Sequence, residues 1–483
     1  MFNAIDQFLN RTTMYRLVLY CLLILLAIAC IFAFLGILPF NPLALIFGTG
    51  LLIAACWLSN RLFAWIMKAP SNEESVFITA LILALIISPA FPTQGASIWL
   101  MIWASVFAMA SKYVIALRKK QIFNPAAFGV ALLALTTSQS ATWWVGTFAM
   151  LPFVLILGAL IVRKIHRWHL VMSFFIAALV TILFTSIGHN PILTLRTIAV
   201  DSPIFFFAFV MLTEPFTTPP TRAWQMVYGA LTGVLFAPAV HIGSLYTTPE
   251  LALLAANIFS YAVSPKGRHV LTLIEKIKTS ADTYDFIFKP DRAFSFIPGQ
   301  YLEWTLAHAS ADNRGIRRYF TIASSPTESN VRVGVKFYTK SSSYKKNLLA
   351  MKEGESLVGA QLAGDFTLPK NTNQKLVFIA GGIGITPFRS MIQYLIDQKE
   401  RRDMILLYSN KIISEITYAD TFSKAHDQLG LKIIYTLTDL PRIPKNWSGH
   451  SGQIDARMVM REIPDYRNRL FYISGPHAMV VGM

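Results

Sequence analysis

The chain has 483 residues, 54% of them hydrophobic and only 14% charged, with a net charge of +17 and a mean hydropathy of +0.49. That composition excludes a wholly soluble protein. The three cysteines (Cys21, Cys30, Cys56) lie in apolar stretches and fall short of the four thiolates an iron–sulfur cluster needs, so neither a metal centre nor a disulfide framework is expected. The averages hide a break: residues 1–265 carry 13 Lys+Arg and 6 Asp+Glu, and residues 266–483 carry 30 and 20. The basic residues form no nucleic-acid-binding arm, and their excess reads as topogenic charge plus a basic cytoplasmic face.

Residues 1–14 are too polar for a cleavable signal. Apolar runs then follow near 15–40, 43–67, 76–92, 96–116, 124–136, 143–163, 169–188, 202–213, 223–243 and 248–263. Taken as ten crossings from a cytoplasmic N-terminus, they put twelve of the thirteen basic residues inside: Arg11, Arg16, Arg61, Lys68, Lys112, Arg118, Lys119, Lys120, Arg163, Lys164, Arg167 and Arg222. Only Arg196 falls outside. An even count returns the chain to the cytoplasm. Two segments are unusual at membrane depth: Asn124-Pro125-Ala126-Ala127 at a helix start, and Thr213-Glu214-Pro215 ending a short run. Asp201 and Glu214 flank that run, either as solvated interfacial carboxylates or as part of a cofactor or ion site.

Past Arg268 the pattern becomes short strands with polar turns: 269–277, 284–288, 300–306, 318–323, 331–337 and 356–362, the mark of a small antiparallel barrel. Residues 375–380 then read as a buried parallel strand. The turn Gly381-Gly382-Ile383-Gly384-Ile385 follows, with Thr386 as helix N-cap and Pro387 as first helical residue. Strand–helix alternation continues to Leu470–Ser474, as in a doubly wound sheet.

Arg318-Tyr319-Phe320-Thr321-Ile322-Ala323-Ser324 resembles the flavin-binding motif of the ferredoxin–NADP reductase superfamily. Gly381-Gly382-Ile383-Gly384-Ile385-Thr386-Pro387 is similar to its dinucleotide turn, and Ser474-Gly475-Pro476 to its Cys-Gly-Pro turn. The resemblance implies FAD in a barrel domain over 266–370 and NADH or NADPH in an α/β domain over 371–483. Arg318 would pair with the flavin pyrophosphate, Phe320 (in place of the usual Tyr) would face the isoalloxazine, and Thr321 would lie near the hydride-accepting N5. Gln300 and Ser324 would shape that pocket, and Ser342, Ser343 and Lys345 would make a second pyrophosphate contact. Gly381, Gly382, Gly384, Thr386, Pro387, Gly475 and Pro476 would take the dinucleotide, with Ser474 against the nicotinamide. Donor selectivity would lie in Ser409-Asn410-Lys411. Relatives continue through a further helix and strand, so the resemblance implies a shortened C-terminus or a fragment.

Residues 15–262 resemble the NqrB/RnfD family through the ten runs, Asn124-Pro125-Ala126 and Phe207–Pro215. This implies a multi-pass protein of the bacterial inner membrane, with lipid around it and a quinone or electron-accepting protein as partner. The family's covalent FMN motif corresponds to Thr136-Thr137-Ser138-Gln139-Ser140-Ala141-Thr142, which keeps Ala141 and Thr142 but lacks the Asp-Gly. FMN is therefore expected non-covalently or not at all, and Asn124, Thr142, Asp201 and Glu214 are the candidates for a membrane flavin or ion site. The leading expectation is an NAD(P)H oxidoreductase passing electrons through FAD to a flavin or quinone. The alternatives are redox-driven cation transport, a haem-bearing reductase and a plain tether. His166, His169, His189 and His241 sit at helix ends and make poor paired haem ligands.

Overall fold

A computed structural model describes residue 9 and residues 12–67, 73–116, 121–137, 139–186, 190–243, 245–264, 268–293, 295–308, 311–312, 315–339 and 341–483. Arg11, Lys68, Arg118, Lys119, Lys120, Ser138 and His189 lie outside the described residues. The chain forms two compact units, Met1–Gly267 and Arg268–Met483.

The first unit is helical. Among the described residues four helices are long and apolar enough to span a bilayer alone: Met14–Phe34, Pro42–Ile66, Gly95–Tyr113 and Trp168–Thr185. The pair Ile192–Asp201 and Ile204–Met211 would make a fifth, but it is bent by 63°. The other apolar runs become helices of 13–15 residues: Glu73–Ile86, Pro125–Thr137, Leu151–Ile165, Arg222–Phe236 and Pro249–Val263. At 1.5 Å per residue these reach ~20 Å, short of the ~30 Å hydrocarbon core. The ten runs therefore differ in length, and these five helices fall short of a full crossing. Glu73–Ile86 gives the reason: every residue from Thr79 to Ile86 is buried, so its apolarity serves protein packing rather than lipid contact.

Without water to drive apolar association, membrane helices rely on close packing, and small residues permit it. Gly229 and Gly233, four apart on Arg222–Phe236, lie against Trp168–Thr185. A Cβ on Gly229 would meet Leu170 O at 2.5 Å, and one on Gly233 would meet Ala178 N at 2.9 Å.

The second unit holds two sheets. The first has six antiparallel strands: β1 (His269–Lys278), β2 (Thr283–Pro290), β3 (Tyr301–Thr305), β4 (Arg317–Thr321), β5 (Val331–Lys336) and β6 (Ser356–Ala363), in the order β4-β3-β6-β1-β2-β5. The edge strands β4 and β5 pair in no ladder among the described residues. They meet through one backbone bond, Ala323 N–H to Arg332 O at 2.8 Å, so the expected closed barrel is a sheet joined at that point. Phe286, Phe288, Leu302, Trp304 and Val333 fill its core, each worth about 1.5–3 kcal/mol when fully buried.

The second sheet is wholly parallel: β7 (Leu376–Gly381), β8 (Met404–Asn410), β9 (Lys432–Leu437), β10 (His450–Ser451) and β11 (Leu470–Ser474), in the order β10-β9-β8-β7-β11. All six residues of β7 are buried, as a central strand covered on both faces requires. Its neighbour in the order, β11, comes last in sequence, and this brings Ser474 beside Ala380 at the carboxyl end of the sheet.

Candidate functional site

Strand β4 presents the arginine motif and pairs with β3, Thr321 opposite Tyr301 and Phe320 opposite Leu302. Phe320 and Thr321 are half-buried. The Phe320 ring leans at 6.1 Å on Tyr344, and the Arg318 guanidinium lies 5.0 Å from the Tyr344 ring centre. Tyr344 begins the second residue of a helix missed in the sequence, Ser343–Ala350, whose N-cap is Ser342: its Oγ accepts Lys345 N–H at 3.3 Å. Asp312 Oδ2 accepts the Ser343 N–H at 2.9 Å, and Asp312 Oδ1 stands 3.9 Å from Arg318 Nη2. A carboxylate thus rests at a helix N-terminus beside a guanidinium, where the dipole and the charge both favour an anion. The Tyr344 hydroxyl is buried with no hydrogen-bond partner among the described residues, and burial pushes its pKa up.

Not every motif residue is exposed to this place. Gln300 closes a turn, accepting Ile297 N–H at 2.9 Å and donating to Gly364 O at 3.4 Å. Lys345 Nζ donates to Lys336 O at 2.6 Å. Ser324 is fully buried: its Oγ accepts Arg332 N–H at 3.1 Å and its carbonyl accepts Ser390 Oγ–H at 2.7 Å.

The glycine turn runs from β7 directly into the helix Thr386–Gln398 through a tight 3₁₀ turn, Gly382–Ile385. Thr386 is therefore the first helical residue and not the cap, because no extended residue separates turn from helix; its Oγ donates to Ile383 O at 3.3 Å. Gly382 has φ +52°, and a Cβ there would meet nothing within 4 Å, so a ligand can approach this backbone. On the other side the turn is packed tight. A Cβ on Gly384 would strike Ser474 O, and one on Gly381 would meet Pro476 Cδ at 2.9 Å. Gly475 lies in the same contact, so Ser474-Gly475-Pro476 and the glycine turn form one wall.

The two sheets of this unit are tied by buried polar groups that the sequence reading missed. Arg389, three residues after Thr386, donates to Ala323 O at 3.1 Å and pairs with Glu328. Asp285 on β2 is fully buried. Its Oδ2 accepts from Arg332 Nη1 and its Oδ1 from the Tyr418 hydroxyl, both at 2.6 Å. Burial pushes the Asp285 carboxyl upward against the pull of these two donors. Burial would lower Arg332, but the bond to Asp285 outweighs it and raises it. The only sequence signal was an aspartate set between aromatics in a strand.

In the helical unit, Asn124 and Glu214 do come together: Asn124 Nδ2 donates to Glu214 Oε2 at 2.9 Å, and Thr217 Oγ donates to the same oxygen at 3.1 Å. Asn124 Oδ1 accepts Ala127 N–H at 3.1 Å, which starts the helix Pro125–Thr137. The backbone N–H of Asn124 reaches Asn257, whose amide donates to the Tyr228 hydroxyl, each at 2.9 Å. Lys112 lies within electrostatic reach of Glu214 and donates to Ser75 O at 3.2 Å. Glu214, Asn124, Thr213, Ser75 and Thr79 line a partly open cleft with a cavity volume of about 50 Å³, whose remaining walls are largely apolar. Lys112, Tyr228 and Asn257 were legible only as polar residues in apolar helices. Thr142 and Asp201 are not part of this cluster. Thr142 is exposed and bonded to Ile86 O at 3.2 Å, at the far end of Glu73–Ile86 from Ser75, ~16 Å along the helix. Asp201 ends Pro191–Asp201 and is exposed.

Residues 378–483 match the oxidoreductase NAD-binding domain family, and residues 145–265 match the NQR2, RnfD, RnfE family. The glycine betaine monooxygenase reductase subunit of Pseudomonas aeruginosa is 26% identical over 221 residues, 44% of this chain and 57% of that protein. A flavohemoprotein of Bacillus thuringiensis is 30% identical over 42% of this chain and 53% of its own length. The chain thus spans little more than half the length of these curated relatives. The flavohem-like FAD/NAD-binding domain of nitric oxide dioxygenase from Vibrio cholerae has 18% identity over 43% of this chain and 99% of that domain, with a TM-score of 0.37. By these family matches the chain joins a segment like the NQR2, RnfD, RnfE membrane family to a module like the flavin reductases of the ferredoxin–NADP reductase kind.

Proposed function

We propose that this chain is a membrane-bound, NAD(P)H-dependent flavin oxidoreductase that passes electrons from NADH or NADPH through FAD to an acceptor in its membrane domain. One observation carries the reading: the end of the flavin-motif strand, Ala323 and Ser324, is hydrogen-bonded directly to Arg389 and Ser390 of the helix that follows the glycine turn. Flavin and nicotinamide sites are thereby joined across one pair of elements. FAD, when bound, takes a hydride and can release its electrons singly. Arg318 and the N-terminus of Ser343–Ala350 would hold the pyrophosphate in place of Asp312, and Phe320 would face the ring. Thr321 would hydrogen-bond near its reacting edge. Gly382 would admit the dinucleotide phosphates, and Thr386 with Ser474 would flank the nicotinamide. The FAD domain is taken as residues 266–370 and the dinucleotide domain as 371–483.

For the membrane domain we propose ten crossings with both termini cytoplasmic. The cleft at Asn124 and Glu214 favours a neutral, planar acceptor, a quinone or a flavin: apolar walls take its body and the amide and carboxylate take its polar edge. FMN attachment at Thr142 has no support from this cleft. Redox-driven cation movement is the second reading, favoured by Glu214 and Lys112 lying within electrostatic reach of each other in the membrane unit.

The test is the absorbance spectrum of the purified full chain, with flavin extraction, before and after anaerobic NADH or NADPH. Stoichiometric FAD that bleaches with a donor, and no Soret band, is the expected result. A chain that stays colourless when supplied with FAD ends the proposal.

A further inference from the structure

The flavin and dinucleotide halves touch at a point where nothing but a glycine fits. Gly334 on β5 stands opposite Asp285 in the β2–β5 register. A Cβ there would meet the Tyr418 hydroxyl at 2.5 Å, Thr386 Cγ2 at 2.9 Å and Asp285 Oδ1 at 3.1 Å. Three groups with different tasks therefore converge. Thr386 opens the helix after the glycine turn, Tyr418 opens the helix Ala419–Leu429, and Asp285 belongs to the flavin half. Tyr418 is held at φ +60°, a conformation that costs a non-glycine residue about 1 kcal/mol or more and that persists only where the surroundings fix it. Its hydroxyl fixes it by donating to Asp285, whose other oxygen is taken by Arg332. Arg332 in turn bonds through its backbone to Ala323 and Ser324, the end of the flavin-motif strand.

We propose that Asp285 is a positioning residue for hydride transfer: with Tyr418 and Arg332 it clamps Thr386 and the glycine turn at one distance from the flavin-motif strand. This rests on the function proposed above. Asp285 is fully buried, with its oxygens taken by Arg332 and Tyr418. It acts through Tyr418, and Gly334 leaves room for the contact. Hydride transfer needs the donor and acceptor carbons at near-contact distance, so a small displacement of one half lowers the rate without abolishing binding of either nucleotide.

The experiment uses the full chain in detergent and stopped-flow reduction of its flavin across a range of NADH or NADPH concentrations. Tyr418→Phe keeps the ring and the Asp285–Arg332 pair but removes the clamp. It is expected to lower the limiting reduction rate by about tenfold or more, to weaken the long-wavelength nicotinamide–flavin charge-transfer band, and to leave flavin content and apparent donor affinity within about twofold. Asp285→Asn should do the same. Gly334→Ala, which forces the halves apart without altering any charge, should reproduce the rate loss. Should Tyr418→Phe and Gly334→Ala both reduce at the wild-type limiting rate with the charge-transfer band intact, the clamp is wrong while the proposed function stands. A wild-type chain that binds FAD but is reduced by neither donor overturns the function itself, and the clamp falls with it. If Asp285→Asn fails to hold flavin, Tyr418→Phe and Gly334→Ala still decide.

Discussion

Each unit of this chain sets a carboxylate in a polar cluster, Asp285 in one and Glu214 in the other, and the two clusters are built differently. Asp285 has both oxygens bonded to protein donors and is fully buried. Glu214 receives both of its donors on one oxygen, Oε2, and no donor among the described residues reaches Oε1. It is half-buried and lines a cleft. A closed cluster spends its hydrogen-bonding capacity on the protein and so fixes geometry. An open one keeps capacity for something that enters. The contrast assigns Asp285 to architecture and Glu214 to a ligand.

The largest expected effect tests the closed cluster. Asp285→Ala leaves the half-buried Arg332 without the carboxylate it bonds and Tyr418 without an acceptor. Breaking a buried pair from one side costs about 3–5 kcal/mol. In a unit of this size that lowers the temperature of flavin release, followed by fluorescence of the full chain, by about 10 °C. A shift under a few degrees would mean that Arg332 finds another partner and that the cluster is not closed in the sense argued.

Next comes the membrane unit, which has to be held by shape where it lacks such pairs. Gly233→Leu drives a side chain into the backbone of Trp168–Thr185 and is expected to destabilise that unit by about 1–3 kcal/mol. Thermal aggregation in detergent should move down while flavin release from the soluble unit stays put. Joint movement of both would show that the units unfold together.

Glu214→Gln then probes the open cluster. The amide can still accept from Asn124 and Thr217, so thermal aggregation should hardly change. What is lost is a charge-assisted bond to an occupant, about 1.5 kcal/mol or more, which is about tenfold. Reduction of a soluble dye by NAD(P)H should be unaffected, whereas reduction of a quinone analogue in liposomes should fall by that factor. Equal loss with both acceptors would remove the cleft from the electron path.

How much of this was legible in the sequence follows the same division. Strands whose faces differ were visible: Tyr284, Phe286 and Phe288 share one side of β2 and face the core. β1 alternated only loosely because a bulge between Leu273 and Glu275 inserts one residue and shifts the faces. The glycine turn, with its Thr-Pro, was readable because a close backbone approach restricts residue type. The helix Ser343–Ala350 was not, since eight residues with little apolar content carry no period. In the membrane unit hydropathy found nearly every helix but misjudged what it meant. Glu73–Ile86 is apolar all round because protein surrounds it, and the helix Pro191–Asp201, with Arg196 in it, went unseen. Of the site residues, Asn124 and Glu214 were found by their neighbouring prolines. Thr142 was placed by a motif whose other half is missing, and it stands at the wrong end of the unit. Asp285 and Tyr418 were invisible because their meaning lies in a contact 133 positions apart.

The smallest effect comes from a third carboxylate, which calibrates the other two. Asp465 sits at the surface with Arg469 at 2.7 Å and Lys375 at 2.9 Å, and those two bonds hold its carboxyl well below the usual range. A depressed folded-state pKa contributes stability above the unfolded value, about pH 4, and that contribution disappears as the pH falls through the folded value. Solvent screens the pair, so Asp465→Asn should lower flavin release at neutral pH by no more than about 1–2 °C. The difference should close in acid as the wild-type carboxyl takes up its proton, and also in high salt. Asp285→Ala should keep most of its effect in salt, because the carboxylate is fully buried and ions reach only the edge of its guanidinium partner. Should salt erase both differences alike, the Asp285 cluster is wet, and the contrast between a closed and an open carboxylate loses its physical basis.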